Sequence, residues 1–170
     1  MNVPIDITGI ALTSNRLILR AWQETDLDDF YAYAKVDGVG QMAGWLPNSS
    51  IDVSKTILSC FIAHKKVFAL EYQGKVIGSL GIEEYKEKVF PELAELKGRE
   101  IGYVLSKDYW GQGLMPEAVN AVLEWLFLVE KLGFVIVGHF VWNIQSRRVI
   151  EKCGFQFLRE TKHLTRYETV

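Results

Sequence analysis

The chain has 170 residues, with 19 Lys and Arg against 21 Asp and Glu and a formal charge of −2. That length supports one domain with a true core, residues 1–170, since no shift in composition marks a second. The charge balance lacks the basic stripe of a nucleic-acid binder, and no apolar run reaches the roughly 18 residues that a membrane span needs.

The N-terminal stretch MNVPIDITGIALTSN has no basic segment followed by an apolar one, so no export signal is expected. Cys60 and Cys153 lie far apart and outside any CxxC, as suits reduced thiols in a cytoplasmic protein. His64, His139 and His163 show no metal-ligand spacing, and no metal is expected.

In chain order, Asn15–Trp22 (NRLILRAW) alternates and reads as a strand. Thr25 is placed to cap a helix with Asp26, Asp28 and Asp29 in its first turn and an inner stripe of Leu27, Phe30, Tyr31 and Ala34. Gly38 and Gly40 interrupt, WLPNSS forms a loop, and a second helix is expected over Val53–His64. Val67–Tyr72 and Lys75–Tyr85 read as strands joined by a hairpin turn at Gln73-Gly74. Lys86–Arg99, charged and holding Pro91, reads as a mobile surface connection with room for one helical turn.

Glu100–Ser106 is a strand in which Gly102 is the expected bulge. Pro116–Lys131 is a helix with a narrow polar edge (Glu117, Asn120, Glu124, Lys131) and otherwise buried faces. Phe134–Trp142 (FVIVGHFVW) is the most strand-like run. Asn143–Lys152 is a short helix stopped at Gly154, and residues 155–170 supply one or two final strands. This order mixes early antiparallel hairpins with a late strand–helix–strand crossover. It predicts an α/β or α+β domain around one mixed, mostly antiparallel sheet, with Glu100–Ser106 and Phe134–Trp142 as parallel neighbours.

The segment DYWGQGLMPEA, Asp108–Ala118, places Gly111 and Gly113 directly before the strongest helix. Glycines free the backbone for positive φ, and amides at a helix N-terminus attract anions. A P-loop would need GxxxxGK[ST], which is absent; a dinucleotide turn would need a third glycine where Pro116 stands. A plain connecting turn also fits GQG taken alone.

The wider context decides between these. EIGYVLSKDYWGQGLMPEA, then a long buried helix, a strand and WNIQSRRVIEKCGF, resembles the GNAT superfamily of acetyl-CoA-dependent N-acetyltransferases. It is most similar to the branch that acetylates N-terminal amines of ribosomal proteins. The family's Q/R-x-x-G-x-G/A motif corresponds to Asp108-Tyr109-Trp110-Gly111-Gln112-Gly113. Its N-x-x-S and K-x-G-F blocks correspond to Asn143–Ser146 and Lys152–Phe155. The resemblance runs from about Asn15 to Arg159. Asp108 departs from the usual Gln or Arg, and is expected to face outward.

The resemblance implies acetyl-CoA as co-substrate, held between two splayed parallel strands. Val104 and Leu105 would pair through their backbones with the pantetheine arm, and the amides of Tyr109, Trp110, Gly111, Gln112, Gly113 and Leu114 would receive the diphosphate. Gly102 would free an N–H for the thioester carbonyl. Glu100 is the first choice for the base that deprotonates the amine, with Glu83 and Glu84 as rivals. Ser146 would give the leaving thiolate a hydrogen bond, and Asn143 would orient the pantetheine amide, although an Asn here also suits a helix N-cap. Tyr103 is assigned no role. The acceptor would be a protein or peptide N-terminal α-amine, handled by a monomer or homodimer without nucleic acid or membrane. The same residues would serve an antibiotic- or polyamine-modifying enzyme, or an acyl-CoA-binding module without turnover.

Overall fold

Among the described residues, six strands lie side by side in the order in which the chain makes them: β1 (Ala11–Thr13), β2 (Leu17–Ala21), β3 (Val67–Tyr72), β4 (Lys75–Glu83), β5 (Gly98–Leu105) and β6 (Phe134–Val137). Neighbours from β1 to β5 pair antiparallel, and β5 with β6 pairs parallel. The computed structural model describes residues 1–162. Among these, four α-helices accompany the sheet: α1 (Leu27–Ala34), α2 (Ile51–His64), α3 (Leu114–Leu128) and α4 (Ile144–Lys152). The expected mixed α/β architecture is the one found. No helix of the described residues is long and apolar enough to cross a membrane.

Alternation within the central strands builds a core on each face of the sheet. In β3, Val67 to Leu70 are all buried, as suits a strand covered on both sides. Phe68 and Leu70 join Leu17, Leu19, Ile101 and Leu105 against α3, while Val67, Ala69 and Val104 meet Phe30, Tyr33 and Leu58 of α1 and α2. α3 sends Leu114, Ala118, Val122, Trp125 and Leu126 into the first core at helical spacing. The β3–β4 turn is a two-residue hairpin with positive φ at Gln73 (52°) and Gly74 (76°), as its sequence suggests.

Several boundaries and local features differ from the sequence reading. β1 lacks an alternating run long enough to announce itself, yet it pairs with β2. Thr25 does not cap a helix. Asp26 instead takes the Gln23 N–H (2.8 Å) and a paired contact with Arg20 (2.9 Å twice), which winds Glu24–Asp26 into a 3₁₀ turn before α1. In α1 the buried aromatic positions are Phe30 and Tyr33, with Tyr31 only half-buried. The 86–97 connection forms two 3₁₀ turns, Glu87–Val89 and Pro91–Leu93, with Phe90 buried beside Tyr85, and β5 starts at Gly98.

Gly102 makes no bulge: the β4–β5 ladder runs unbroken through Gly81↔Gly102. The irregularity lies one strand over, where Leu70 and Glu71 face Gly78 and Val76 and Ile77 is the extra residue. α3 begins at Leu114 and closes at Leu128, so Phe127, Leu128 and Val129 at its end are exposed rather than buried. β6 stops at Val137, opposite Ile101, although β5 runs on to Leu105, and residues 138–142 join no strand despite their β-rich composition. No strand forms over residues 155–162, and the rest of that expectation, residues 163–170, lies outside the described residues.

β4 and β5 are packed too closely for a larger residue at Gly78, where a Cβ would lie 2.4 Å from the Val104 carbonyl oxygen. Backbone cannot move aside as a flexible side chain does. We therefore expect Gly78→Ala to cost about 2 kcal/mol of stability. Urea unfolding would measure it, and an unchanged midpoint would contradict the close packing.

Candidate functional site

The site begins where the parallel ladder ends. β5 and β6 pair from Gly98↔Phe134 to Ile101↔Val137, and Gly102–Leu105 continue beside β4 alone. Ser106 N donates to Ile77 O at 2.7 Å, just beyond the Gly78↔Leu105 pair. Hydrogen-bonded and non-bonded pairs alternate in an antiparallel ladder, so Val104 bonds toward β4. The backbone groups of Tyr103 and Leu105 then face the opening that β6 vacates. The Leu105 carbonyl is not free, since it accepts from the Trp110 indole N–H at 2.8 Å.

The glycine turn closes one end of this opening. Lys107–Tyr109 forms a 3₁₀ turn in which Tyr109 N donates to Ser106 O (3.0 Å) and Trp110 N to Lys107 O (3.2 Å). Those two amides are therefore spent internally, contrary to the expectation that they receive an anion. Gly111, Gln112 and Gly113 have no such acceptor among the described residues, and Leu114 opens α3 as an unpaired first-turn donor. Gly111 and Gly113 both adopt left-handed φ, 76° and 78°, and a Cβ on Gly111 would meet open space. The turn is thus a nest of N–H groups without protein acceptors among the described residues, at a helix N-terminus, with the chemistry a diphosphate needs. Asp108 is exposed and contributes its carbonyl to Gln112 Nε2 (3.1 Å). From outside, Arg16 Nη2 donates to the Gln112 carbonyl at 2.9 Å and pairs with Glu117.

Side chains alternate along β5, so its residues serve two faces of the sheet. Ile101 and Leu105 enter the core under α3, Tyr103 packs against that core, and Val104 enters the core on the other face. Glu100 shares the parity of Val104. It is half-buried, opposite Glu83 in the ladder, and a Cβ on Gly138 would sit 3.9 Å from its Oε1. Burial pushes its carboxyl above the ordinary value, Lys86 opposes this and Glu83 adds to it. The rivals are engaged: Glu83 with Lys66, and Glu84 with Arg99 at 3.7 Å.

On the other face, Tyr103 reaches across to α4. Its hydroxyl lies 2.9 Å from Ser146 Oγ and 3.3 Å from the Ser146 carbonyl. Burial raises this phenol to about 12, against a lowering from the Ser146 contact, so it keeps its proton. The sequence carried no sign of this pair, because only the fold brings β5 to α4. Asn143 is buried and caps α4, its Oδ1 accepting from Ser146 N at 3.0 Å and its Nδ2 donating to Met42 O at 3.1 Å. These bonds are those of a cap that also ties α4 to the Gly40–Ala43 turn. A concavity beneath α1 is lined by Lys75, Ser106, Lys107, Asp108 and Tyr109 and so borders the turn that precedes Gly111, while another lies near Trp22 and Phe61; Glu100, Tyr103, Asn143 and Ser146 line neither. Among the described residues no cluster of His, Cys, Asp and Glu is arranged to hold a metal ion.

Comparison with known proteins agrees with the geometry. The profile of the acetyltransferase (GNAT) domain matches residues 16–156. The uncharacterized N-acetyltransferase YoaA of Bacillus subtilis is 30% identical, the alignment covering 85% of this chain and 82% of that protein. A GNAT-family acetyltransferase from Bacillus anthracis has the same fold, with a TM-score of 0.75 at 21% identity over 86% of this chain and 84% of the other. A ribosomal-protein-S5-alanine acetyltransferase from Vibrio fischeri gives a TM-score of 0.65 at 21% identity, over 86% of this chain and 83% of the other. The chain belongs to the GNAT family of acetyltransferases.

Proposed function

We propose that this protein transfers an acetyl group from acetyl-CoA to a protein or peptide N-terminal α-amine, by direct attack within a ternary complex. One observation carries the reading. The opening between β5 and β6 has an unengaged, half-buried carboxylate, Glu100, on one face, and a hydroxyl pair, Tyr103–Ser146, on the other. A thioester threaded between them would meet a proton acceptor on one side and a hydrogen-bond donor on the other.

Acetyl-CoA, when bound, supplies a thioester carbon that an amine nitrogen attacks as the C–S bond breaks. The chain's own groups fit that donor: unspent N–H groups from Gly111 to Leu114 suit the diphosphate, and the free backbone edge at Tyr103 suits the pantetheine arm as an added strand would. Val104, whose backbone groups turn to β4, would not pair with the arm as the resemblance implied, and Leu105 would do so only through its N–H. Tyr109 and Trp110 shape the turn, the latter by holding the Leu105 carbonyl.

Glu100 accepts the proton that the ammonium must lose. A peptide α-amine titrates near 8, against about 10 for a lysine side chain, so a single carboxylate raised by burial suffices for it. Ser146 donates its hydroxyl toward the departing sulfur. Tyr103 is held protonated, and a hydrogen bond donated from it to Ser146 Oγ would leave the serine proton free to point outward. Asn143 fixes the first turn of α4 and with it Ser146. The fold shared with the Vibrio fischeri ribosomal-protein acetyltransferase supports the choice of a protein N-terminus. We place the reaction in the cytoplasm, where Cys60 and Cys153, both unpaired, would stay reduced.

Thiol release from acetyl-CoA, measured with peptides bearing a free α-amine and with a panel of small amines, tests the proposal. Glu100→Gln and Ser146→Ala should each lower kcat by about 10²-fold or more while the calorimetric Kd for CoA barely moves. Tight CoA binding with no release across the whole panel would make the protein a binding module instead.

Stability gives an independent check on Glu100. Its folded-state pKa lies above the unfolded value, so the native state binds more protons between the two and the ionised carboxylate destabilises it at neutral pH. We expect Glu100→Gln to be more stable than the parent at pH 7, the difference shrinking as pH falls through the folded pKa toward the unfolded one. Denaturant titrations across that range would show it, and a variant less stable at pH 7 would contradict it.

A further inference from the structure

Arg16, at the corner between β1 and β2, clasps the glycine turn at two points. Its Nη2 donates to the Gln112 carbonyl (2.9 Å), and its Nε to Glu117 Oε1 (2.7 Å). Glu117, in the first turns of α3, also receives Ser14 Oγ at 2.9 Å and the Arg16 N–H at 3.3 Å. Burial pushes the Glu117 carboxyl upward, but the Arg16 and Ser14 bonds outweigh it and hold the group below its ordinary value. The carboxylate therefore stays charged and keeps the guanidinium in place.

The consequence follows from the peptide plane. In a trans peptide the C=O and the following N–H point in opposite directions, and no described peptide bond here is cis. Binding the Gln112 carbonyl to Arg16 therefore turns the Gly113 N–H away from the β1–β2 corner. Gly113 sits at φ 78° and has no Cβ, so nothing in its own covalent structure selects this orientation over the reversed one. In the reversed orientation a carbonyl, not an N–H, would face an anion on the turn's outer side. Asp108 offers the turn only its carbonyl, so the restraint comes from Arg16.

We infer that Arg16 is a positioning residue that sets the Gln112–Gly113 peptide for diphosphate binding, with Glu117 holding Arg16 in that task. The inference rests on the acetyl-CoA reading above. It differs from plain charge attraction, which predicts that removing the Glu117 carboxylate would improve anion binding.

Calorimetric titrations of CoA, and of pantetheine as the same arm without the diphosphate, into the parent, Arg16→Ala and Glu117→Gln separate these ideas. Arg16→Ala should weaken CoA about tenfold, as loss of a charge-assisted hydrogen bond does, and leave the pantetheine Kd where it was. Glu117→Gln should also weaken CoA, by a smaller factor, although it makes the turn more positive. Unchanged CoA affinity in Arg16→Ala, tighter CoA binding in Glu117→Gln, or equal losses for CoA and pantetheine would each overturn the inference. A parent protein that binds no CoA would instead bring down the acetyl-CoA reading itself, and the role of Arg16 with it.

Discussion

The site depends on a parallel ladder that ends early. β5 and β6 exchange hydrogen bonds only from Gly98↔Phe134 to Ile101↔Val137, after which β5 stays with β4 and the chain after β6 turns away at Gly138. An unpaired strand edge inside a sheet is costly unless water or a ligand satisfies it. Here the edge is short and lies between two cores that hold β5 rigidly from both faces, through Ile101 and Leu105 on one side and Val104 on the other. The opening is thus a property of well-packed strands rather than of a loose one.

Once the strands part, the period of two along β5 distributes the chemistry. Glu100 and Tyr103 are three apart and so project to opposite faces of the sheet. In the proposed reaction this separation would keep the carboxylate and the phenol from contacting each other, with a proton taken on one side and a hydrogen bond given on the other. Their environments also diverge. Burial raises both groups, but this leaves Glu100 closer to the range in which a base works, whereas it locks Tyr103 in its protonated form.

The features legible in the sequence are those whose physics is local. Gly111 and Gly113 announce positive φ, Asn143 announces a cap and Gly154 a helix stop, and each takes that conformation. Alternation exposed β2, the Gln73-Gly74 turn marked the β3–β4 hairpin, and the helical period exposed most of α3. What failed needed tertiary partners. Phe134–Trp142 is rich in β-formers, yet its ladder ends at Ile101↔Val137 although β5 continues to Leu105. Gly102 looks like a bulge, yet it pairs with Gly81, and the bulge forms at Ile77, where nothing in the residue type marks it. Thr25 does not cap because the chain winds Glu24–Asp26 into a 3₁₀ turn, with Asp26 drawn to Arg20, itself paired with Glu71 on the neighbouring strand, a charged cluster that one segment cannot reveal. Tyr103 and Arg16 were invisible for the same reason, since Ser146 and Gln112 reach them only through the fold.

The same long-range bonds explain how a glycine-rich turn can be both open and defined. Glycine lowers the barrier to the left-handed conformation but leaves alternatives open, so a turn of this kind has a unique shape only if something outside it chooses one. Three contacts do so here. Trp110 ties the turn to the Leu105 carbonyl at the β5 edge, Gln112 folds back on Asp108, and the β1–β2 corner grips Gln112 and Glu117. None of them consumes an N–H between Gly111 and Leu114. The donors stay free because the restraints act on carbonyls and side chains instead. A turn ordered in this way has lost conformational entropy before any ligand arrives, and binding need not supply it again.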